Sequence, residues 1–138
     1  MSCIYTGINN QARKYGSFKI GQTEHKYPTN RINANSLECI YYLSCPNITP
    51  TELDLLETLA AYVCQQMGLE LQSGRKDWFW YNIDYRFASR EAQAERFASA
   101  IMKRLIQECE QMGVQYELRA CYYNGKRYSC AASKTILL

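Results

Sequence analysis

Three observations predict an α+β fold for this chain. Residues 37–45, LECIYYLSC, place Leu37, Cys39, Tyr41, Leu43 and Cys45 at period two, the pattern of a strand with one buried face. The segment ITPTEL, 48–53, carries helix-start signals: Thr49 suits the N-cap, Pro50 the first helical position, and Glu52 the capping-box position. Near the C-terminus, VQYELRACYY and KRYSCAAS flank Asn124-Gly125, a dipeptide that fits a type I′ hairpin turn.

Taken in order, CIYTGI (3–8) reads as a strand, NNQARKYGS (9–17) as a polar connection, and FKIG (18–21) as the return strand of a hairpin. QTEHKYPTN (22–30) is a loop, NRINANS (30–36) a short helical turn, and 37–45 the third strand. A helix is expected from Pro50 to about Met67, stapled by Ile48 and Leu53 and stopped at Gly68. Residues 69–76 form a loop, and DWFWYNI (77–83) is an extended aromatic segment whose alternate residues are expected to close the core. A second helix over about 88–112 carries Phe97, Ile101, Leu105 and Met112 on one stripe and stops at Gly113. The C-terminal hairpin follows.

The composition, 47% hydrophobic and 21% charged over 138 residues, is that of an ordinary globular domain. No apolar run is long enough to span a bilayer, and the N-terminus lacks the basic and apolar regions of a signal peptide. These features predict a cytoplasmic protein. Seven cysteines without a C-x-x-C pair read as buried free thiols in a reducing compartment, not as a zinc or disulfide framework. Charge is unevenly spread. Residues 1–35 hold Arg13, Lys14, Lys19, Lys26 and Arg31 against Glu24 alone, while 11 basic and 12 acidic groups share the remainder. A phosphate-bearing partner would account for that bias, as would a solvated basic loop.

Helix 50–67 carries three acids in its first two turns. Glu52 belongs to the capping box, and Asp54 sits in the favourable field of a helix N-terminus. Glu57 has neither task and shares a face with Leu53, Ala60, Ala61 and Cys64. A carboxylate beside an apolar stripe is costly unless it reaches water, is paired, or binds a metal.

The order CIY, then FKIG, then Arg31 in NRI, then a strand, then Glu57 in LLETL resembles the GIY-YIG nuclease superfamily. It is most similar to the phage-associated branch whose second motif reads K-I-G and in which an acidic-Trp-Phe segment, here Asp77-Trp78-Phe79, follows the glutamate helix. The resemblance spans about residues 3–82. It implies a small three-stranded antiparallel sheet flanked by helices, forming a nuclease core over 1–83. It leaves 84–138 unassigned, and the helix and β-hairpin read there from the sequence pattern are expected to form an extension packed on that core. It also implies metal-dependent endonuclease activity that nicks one DNA strand. Tyr5 matches the tyrosine of the first motif, Lys19 the position of the second motif's tyrosine, Arg31 the arginine of the first helix, and Glu57 the metal-binding glutamate. Asn82 matches a late asparagine, and Cys3 stands where the first motif has glycine.

On that reading Glu57 holds Mg²⁺ or Mn²⁺, and Arg31 offers a planar fork to the scissile phosphate. Lys19 offers a compact charge that binds phosphate or lowers the pKa of Tyr5, and Tyr5 then acts as general base. His25, the only histidine, is an alternative proton relay. Arg13, Lys14 and Lys26 are candidate DNA contacts, as are Arg119, Lys126, Arg127 and Lys134 of the C-terminal hairpin. Trp78, Phe79, Trp80, Tyr81, Tyr85 and Phe87 offer rings for unpaired bases. Each residue alone also has a structural reading: Tyr5 as a packed strand ring, Lys19 as an edge guard, Arg31 as a surface charge and His25 as a loop residue. A catalytically inactive DNA-binding or protein-interaction module on the same fold is the alternative function. A lone site nicks, so duplex cutting calls for a homodimer or a second event.

Overall fold

A computed structural model describes residues 1–9, 15–75, 77–123 and 128–135. Strands β1 (Ser2–Asn9) and β2 (Gly16–Thr23) form the expected hairpin, in antiparallel register with Tyr5 opposite Gly21 and Gly7 opposite Lys19. Helix α1 (Thr29–Ala34) leads to β3 (Glu38–Cys45), which pairs antiparallel with the other edge of β1. Helix α2 (Pro50–Gln66) has the capping box read from the sequence. Thr49 Oγ1 accepts from the Glu52 N–H at 3.2 Å, and the Glu52 carboxylate accepts from the Thr49 N–H at 3.0 Å. Strands β4 (Glu70–Leu71) and β5 (Trp78–Tyr81) follow, then α3 (Arg90–Met112), β6 (Glu117–Tyr123) and β7 (Tyr128–Thr135). Gly113 ends α3 at φ 70°, a left-handed conformation that costs glycine nothing.

The sheet is not the small three-stranded one that the resemblance implied. Its order is β4-β5-β2-β1-β3-β6-β7, seven antiparallel strands of which β4 is only two residues long. The β2-β1-β3 unit is present at its centre. The aromatic segment adds to the free edge of β2, and the C-terminal hairpin adds to the free edge of β3, where Leu43 faces Leu118. Both additions satisfy backbone donors and acceptors that a three-stranded sheet would leave open at its edges. The sheet therefore runs without a break across residue 83.

Helices α2 and α3 cover one face. Ile4, Ile8, Phe18, Ile20, Leu43 and Leu56 are among the residues that form that core, with Ile101 and Leu105 from α3. Burying each such side chain contributes about 1.5–3 kcal/mol. The opposite face has its own smaller cluster of Cys3, Tyr5, Ile32, Leu37, Ile40, Tyr42 and Trp78, into which α1 inserts Ile32. Strand β3 is thus buried on both faces. Its period-two pattern holds from Cys39 to Cys45, but Leu37 turns to the α1 side. Positive φ at Ser36 (51°) and Cys39 (53°), with a register shift between Thr6 and Ile8, breaks the alternation there. The cysteines at 3, 39, 45, 64, 109 and 121 are free thiols. Among the described residues no helix is long and apolar enough to cross a membrane.

Candidate functional site

Strand β5 covers β2 only from Gly16 to Lys19, and a last bond runs from the Ile20 N–H to the Asp77 carbonyl at 3.0 Å. Beyond it the Gly21–Thr23 edge has left β5. There Tyr5, Lys19, Gly21, Gln22, Arg31, Asn35, Glu57 and Asp77 line a polar cleft of about 330 Å³. Tyr5, Lys19, Arg31 and Glu57, read separately from four elements, lie in this one concavity.

Local packing sets each position. Tyr5 points away from α2, and its ring lies across Gly21, where an added Cβ would collide with the ring. The glycine of FKIG is there because the tyrosine ring needs its space. Lys19 projects from the same face, opposite side-chain-free Gly7, and is only 9% exposed. Its Nζ lies 4.0 Å from Asp77 Oδ2 and 5.2 Å from the centroid of the Trp78 ring. Arg31 is exposed on α1, beside the buried anchor Ile32. Asn35 closes that helix by donating to the Arg31 carbonyl at 2.8 Å, and its own carbonyl accepts from Asn9 at 3.3 Å. Gln22 Nε2 donates to Asp54 Oδ1 at 2.7 Å. That bond ties β2 to the second turn of α2, and Glu57, about one turn on, lines the cleft.

The electrostatics correct one expectation. Burial pushes the Tyr5 phenol up to about 12, and the main opposing influence is the nearby Arg31 guanidinium, while Asp77 and Glu57 push the same way as burial. Tyr5 therefore keeps its proton at neutral pH and is a hydrogen-bond donor in the cleft, not a depressed base poised by Lys19. Burial also lowers the Lys19 pKa, and Asp77 and then Glu57 oppose that loss of charge. The two carboxylates thus favour the charged ammonium, against a burial that outweighs them.

The other expected residues lie elsewhere. His25 is exposed in the turn after β2, where its backbone N–H donates to Thr23 Oγ1 at 3.3 Å, and its ring does not line the cleft. Asn82 lines a separate, larger groove of about 1060 Å³ beside α3, and its carbonyl accepts from Gln93 at 2.8 Å. That groove is mostly apolar, with Met67, Leu69, Ile83 and Phe97 in its wall, and its Asp84–Arg86 pair is already closed at 2.7 Å. Lys26 is exposed, its Nζ 5.3 Å from the Tyr27 ring centroid, and it does not line the cleft. Arg119 pairs with Glu117 at 2.6 Å on β6. Arg13, Lys14, Lys126, Arg127, the Asn124-Gly125 turn and the side chain of Lys134 lie outside the described residues. Asp77, Gln22 and Asn35 were missed as cleft residues. The acid of the Asp-Trp-Phe segment was the one signal that pointed toward Asp77.

Among the described residues no cluster of three or more His, Cys, Asp or Glu side chains has metal-binding geometry. The cleft does supply hard oxygen donors, the carboxylates of Glu57 and Asp77, and a magnesium-type ion commonly takes one or two carboxylates and keeps its other ligands as water. The donor set fits such an ion. No family model matches the chain, and comparisons with curated proteins and with solved structures found no significant match.

Proposed function

We propose that this protein is a DNA endonuclease of GIY-YIG type that uses Mg²⁺ or Mn²⁺ to hydrolyse a phosphodiester in one strand. The observation that supports this most is the convergence of Tyr5, Lys19, Arg31 and Glu57 on one polar cleft from four separate elements. Glu57 would hold the divalent ion, which when bound supplies Lewis-acid stabilisation of phosphate oxygens. Arg31, exposed at the rim, grips the non-bridging oxygens through its guanidinium fork. Lys19, 4.0 Å from Asp77, faces the charge that grows on the phosphate in the transition state. The protonated Tyr5 donates its O–H to a phosphate oxygen and so orients the phosphate.

One observation favours a second reading. A tyrosine that holds its proton to about 12 gives the cleft no ready base, which suits a DNA-binding module that does not cut. Supercoiled plasmid with Mg²⁺ or Mn²⁺, tested beside Glu57→Ala and Arg31→Ala, separates the two. Metal-dependent relaxation lost in both variants is the expected result. Salt-sensitive binding without relaxation would leave the binding module, and no binding at low salt would sink both.

A further inference from the structure

The groove of about 1060 Å³ beside α3 has no task in the nuclease reading. Its wall is built from Met67 at the end of α2, from Leu69, from residues 82–87, and from Phe97 and Ala100 of α3. Buried Gln93 pins part of that wall. Its Nε2 donates to the Asn82 carbonyl at 2.8 Å, and its Oε1 accepts from the Asp84 N–H at 3.1 Å. Two polar groups of the groove lack a counterpart among the described residues. The first is Tyr81, whose ring lies across Gly16, where an added Cβ would fall within it, and meets Phe97 edge-on at 5.2 Å between centroids. Its hydroxyl is buried and makes no hydrogen bond. Burial pushes that phenol up to about 12, so it is a protonated donor at neutral pH. A buried donor without an acceptor is costly and uncommon in a native fold. The second is Arg96, exposed at the groove with its guanidinium carbon 5.8 Å from the Phe87 ring centroid. It closes no ion pair among the described residues. The groove's one carboxylate, Asp84, is already taken by the Arg86 side chain through three hydrogen bonds of 2.7–3.1 Å.

We propose that this groove binds a small organic anion, a monocarboxylate with an apolar, ring-bearing body, whose carboxylate takes the Arg96 guanidinium and the Tyr81 hydroxyl. Each part of the wall selects one part of that ligand. Met67, Leu69 and Ile83 favour an apolar body, and the Phe87 and Phe97 rings favour an aromatic one. Arg96 offers a planar fork that fits a carboxylate, and Tyr81 offers the one proton in the wall that has no acceptor. The volume stands at the top of the roughly 300–1,000 Å³ of small-molecule pockets, room enough for two fused rings. The hydroxyl lies beneath the surface, so the carboxylate reaches it by parting the wall at 85–87, the stretch beyond the two Gln93 bonds. Tyr81 and Phe97 belong to the core under α2 and α3, whereas Tyr5 and Trp78 belong to the cluster on the opposite face. A ligand in the groove and DNA in the cleft therefore do not compete, and the inference does not rest on the nuclease reading.

The test is isothermal titration of the full chain with 2-naphthoate, with its neutral isostere 2-naphthamide, and with decanoate. 2-Naphthoate should bind at least about fivefold tighter than the amide, near 1 kcal/mol, because a charge-assisted hydrogen bond outweighs a neutral one. Arg96→Gln should erase that preference, and Tyr81→Phe should weaken 2-naphthoate by about the same factor. Without ligand, Tyr81→Phe should melt no lower than the wild type, since the hydroxyl it removes has no partner to lose. Decanoate should bind more weakly than 2-naphthoate, and equal or tighter binding would assign the groove to acyl chains and overturn the ring-bearing class. Equal affinity for the acid and its amide, undiminished binding in either variant, or no binding of 2-naphthoate overturns the site. A lower Tm in ligand-free Tyr81→Phe also overturns it, because the hydroxyl then already has an acceptor. None of these readouts involves nicking, so the groove and the cleft stand or fall separately.

Discussion

Replacing Gly21 by alanine tests the most constrained contact in the cleft. An added Cβ would sit 2.8 Å from Tyr5 Cε1 and nearer still to Cζ and Oη. Carbon contacts are comfortable at about 3.5–4.0 Å, so the ring must move by roughly an ångström. It has nowhere easy to go, because Tyr5 is 2% exposed and packed among Ile32, Leu37, Tyr42 and Trp78. Overpacking of this kind costs about 1–3 kcal/mol. At about 3–4 °C per kcal/mol for a chain of this size, Tm should fall by about 3–12 °C. The same displacement takes the Tyr5 hydroxyl off its position, and an ångström of misplacement costs on the order of 100-fold in rate. The assay is a double-mutant cycle in urea unfolding with Gly21→Ala, Tyr5→Ala and the pair. Gly21→Ala should be nearly neutral once the ring is gone, giving a coupling of about 1 kcal/mol or more. Equal costs of Gly21→Ala in both backgrounds would refute the contact on which the placement of Tyr5 rests.

Three further outcomes follow from the same geometry. Thr49→Ala removes the capping-box acceptor and should cost about 1 kcal/mol in urea unfolding, with Thr49→Ser nearly silent. Tyr5, raised from 10.0 to about 12, binds its proton more tightly folded than unfolded, so its stabilisation is complete below pH 10 and is lost as pH rises from 10 towards 12. Wild type should therefore lose stability relative to Tyr5→Phe in that window, a comparison in which the buried Tyr81 cancels, and parallel curves would contradict it. Asp77→Asn removes the first of the two influences that hold Lys19 charged, so the alkaline limb of metal-free DNA binding should shift to lower pH. An unmoved limb would mean that Lys19 does not meet the phosphate.

Local signals read well in the sequence, and long-range ones did not. The β1–β2 hairpin, the capped start of α2 and the glycine stop of α3 are each written within a few neighbouring residues, and each is found. The extent of the sheet is not local. Nothing in DWFWYNI says that it pairs with β2, and nothing in VQYELRACYY says that it pairs with β3; those choices depend on which edges the rest of the fold leaves open. Leu37 misled because two positive-φ residues interrupt an otherwise regular alternation. At the cleft, the four residues carried by motif order lie together. Gln22 and Asn35 escaped notice because amides in apparent loops are common, and their positions matter only once α1 and α2 are docked. The direction of the Tyr5 shift was out of reach for the same reason. It depends on burial by a second, smaller core that composition does not announce.

The central claim is that Tyr5, Lys19, Arg31 and Glu57 act as one phosphate-cleaving unit, and the rate of Mn²⁺-dependent plasmid nicking in single and paired variants tests it most directly. Glu57→Gln and Arg31→Ala should each slow nicking by at least about 100-fold, and the pair should be little slower than either, because groups that act as a unit are strongly non-additive. Nicking that persists in Glu57→Gln at the wild-type rate would contradict the account.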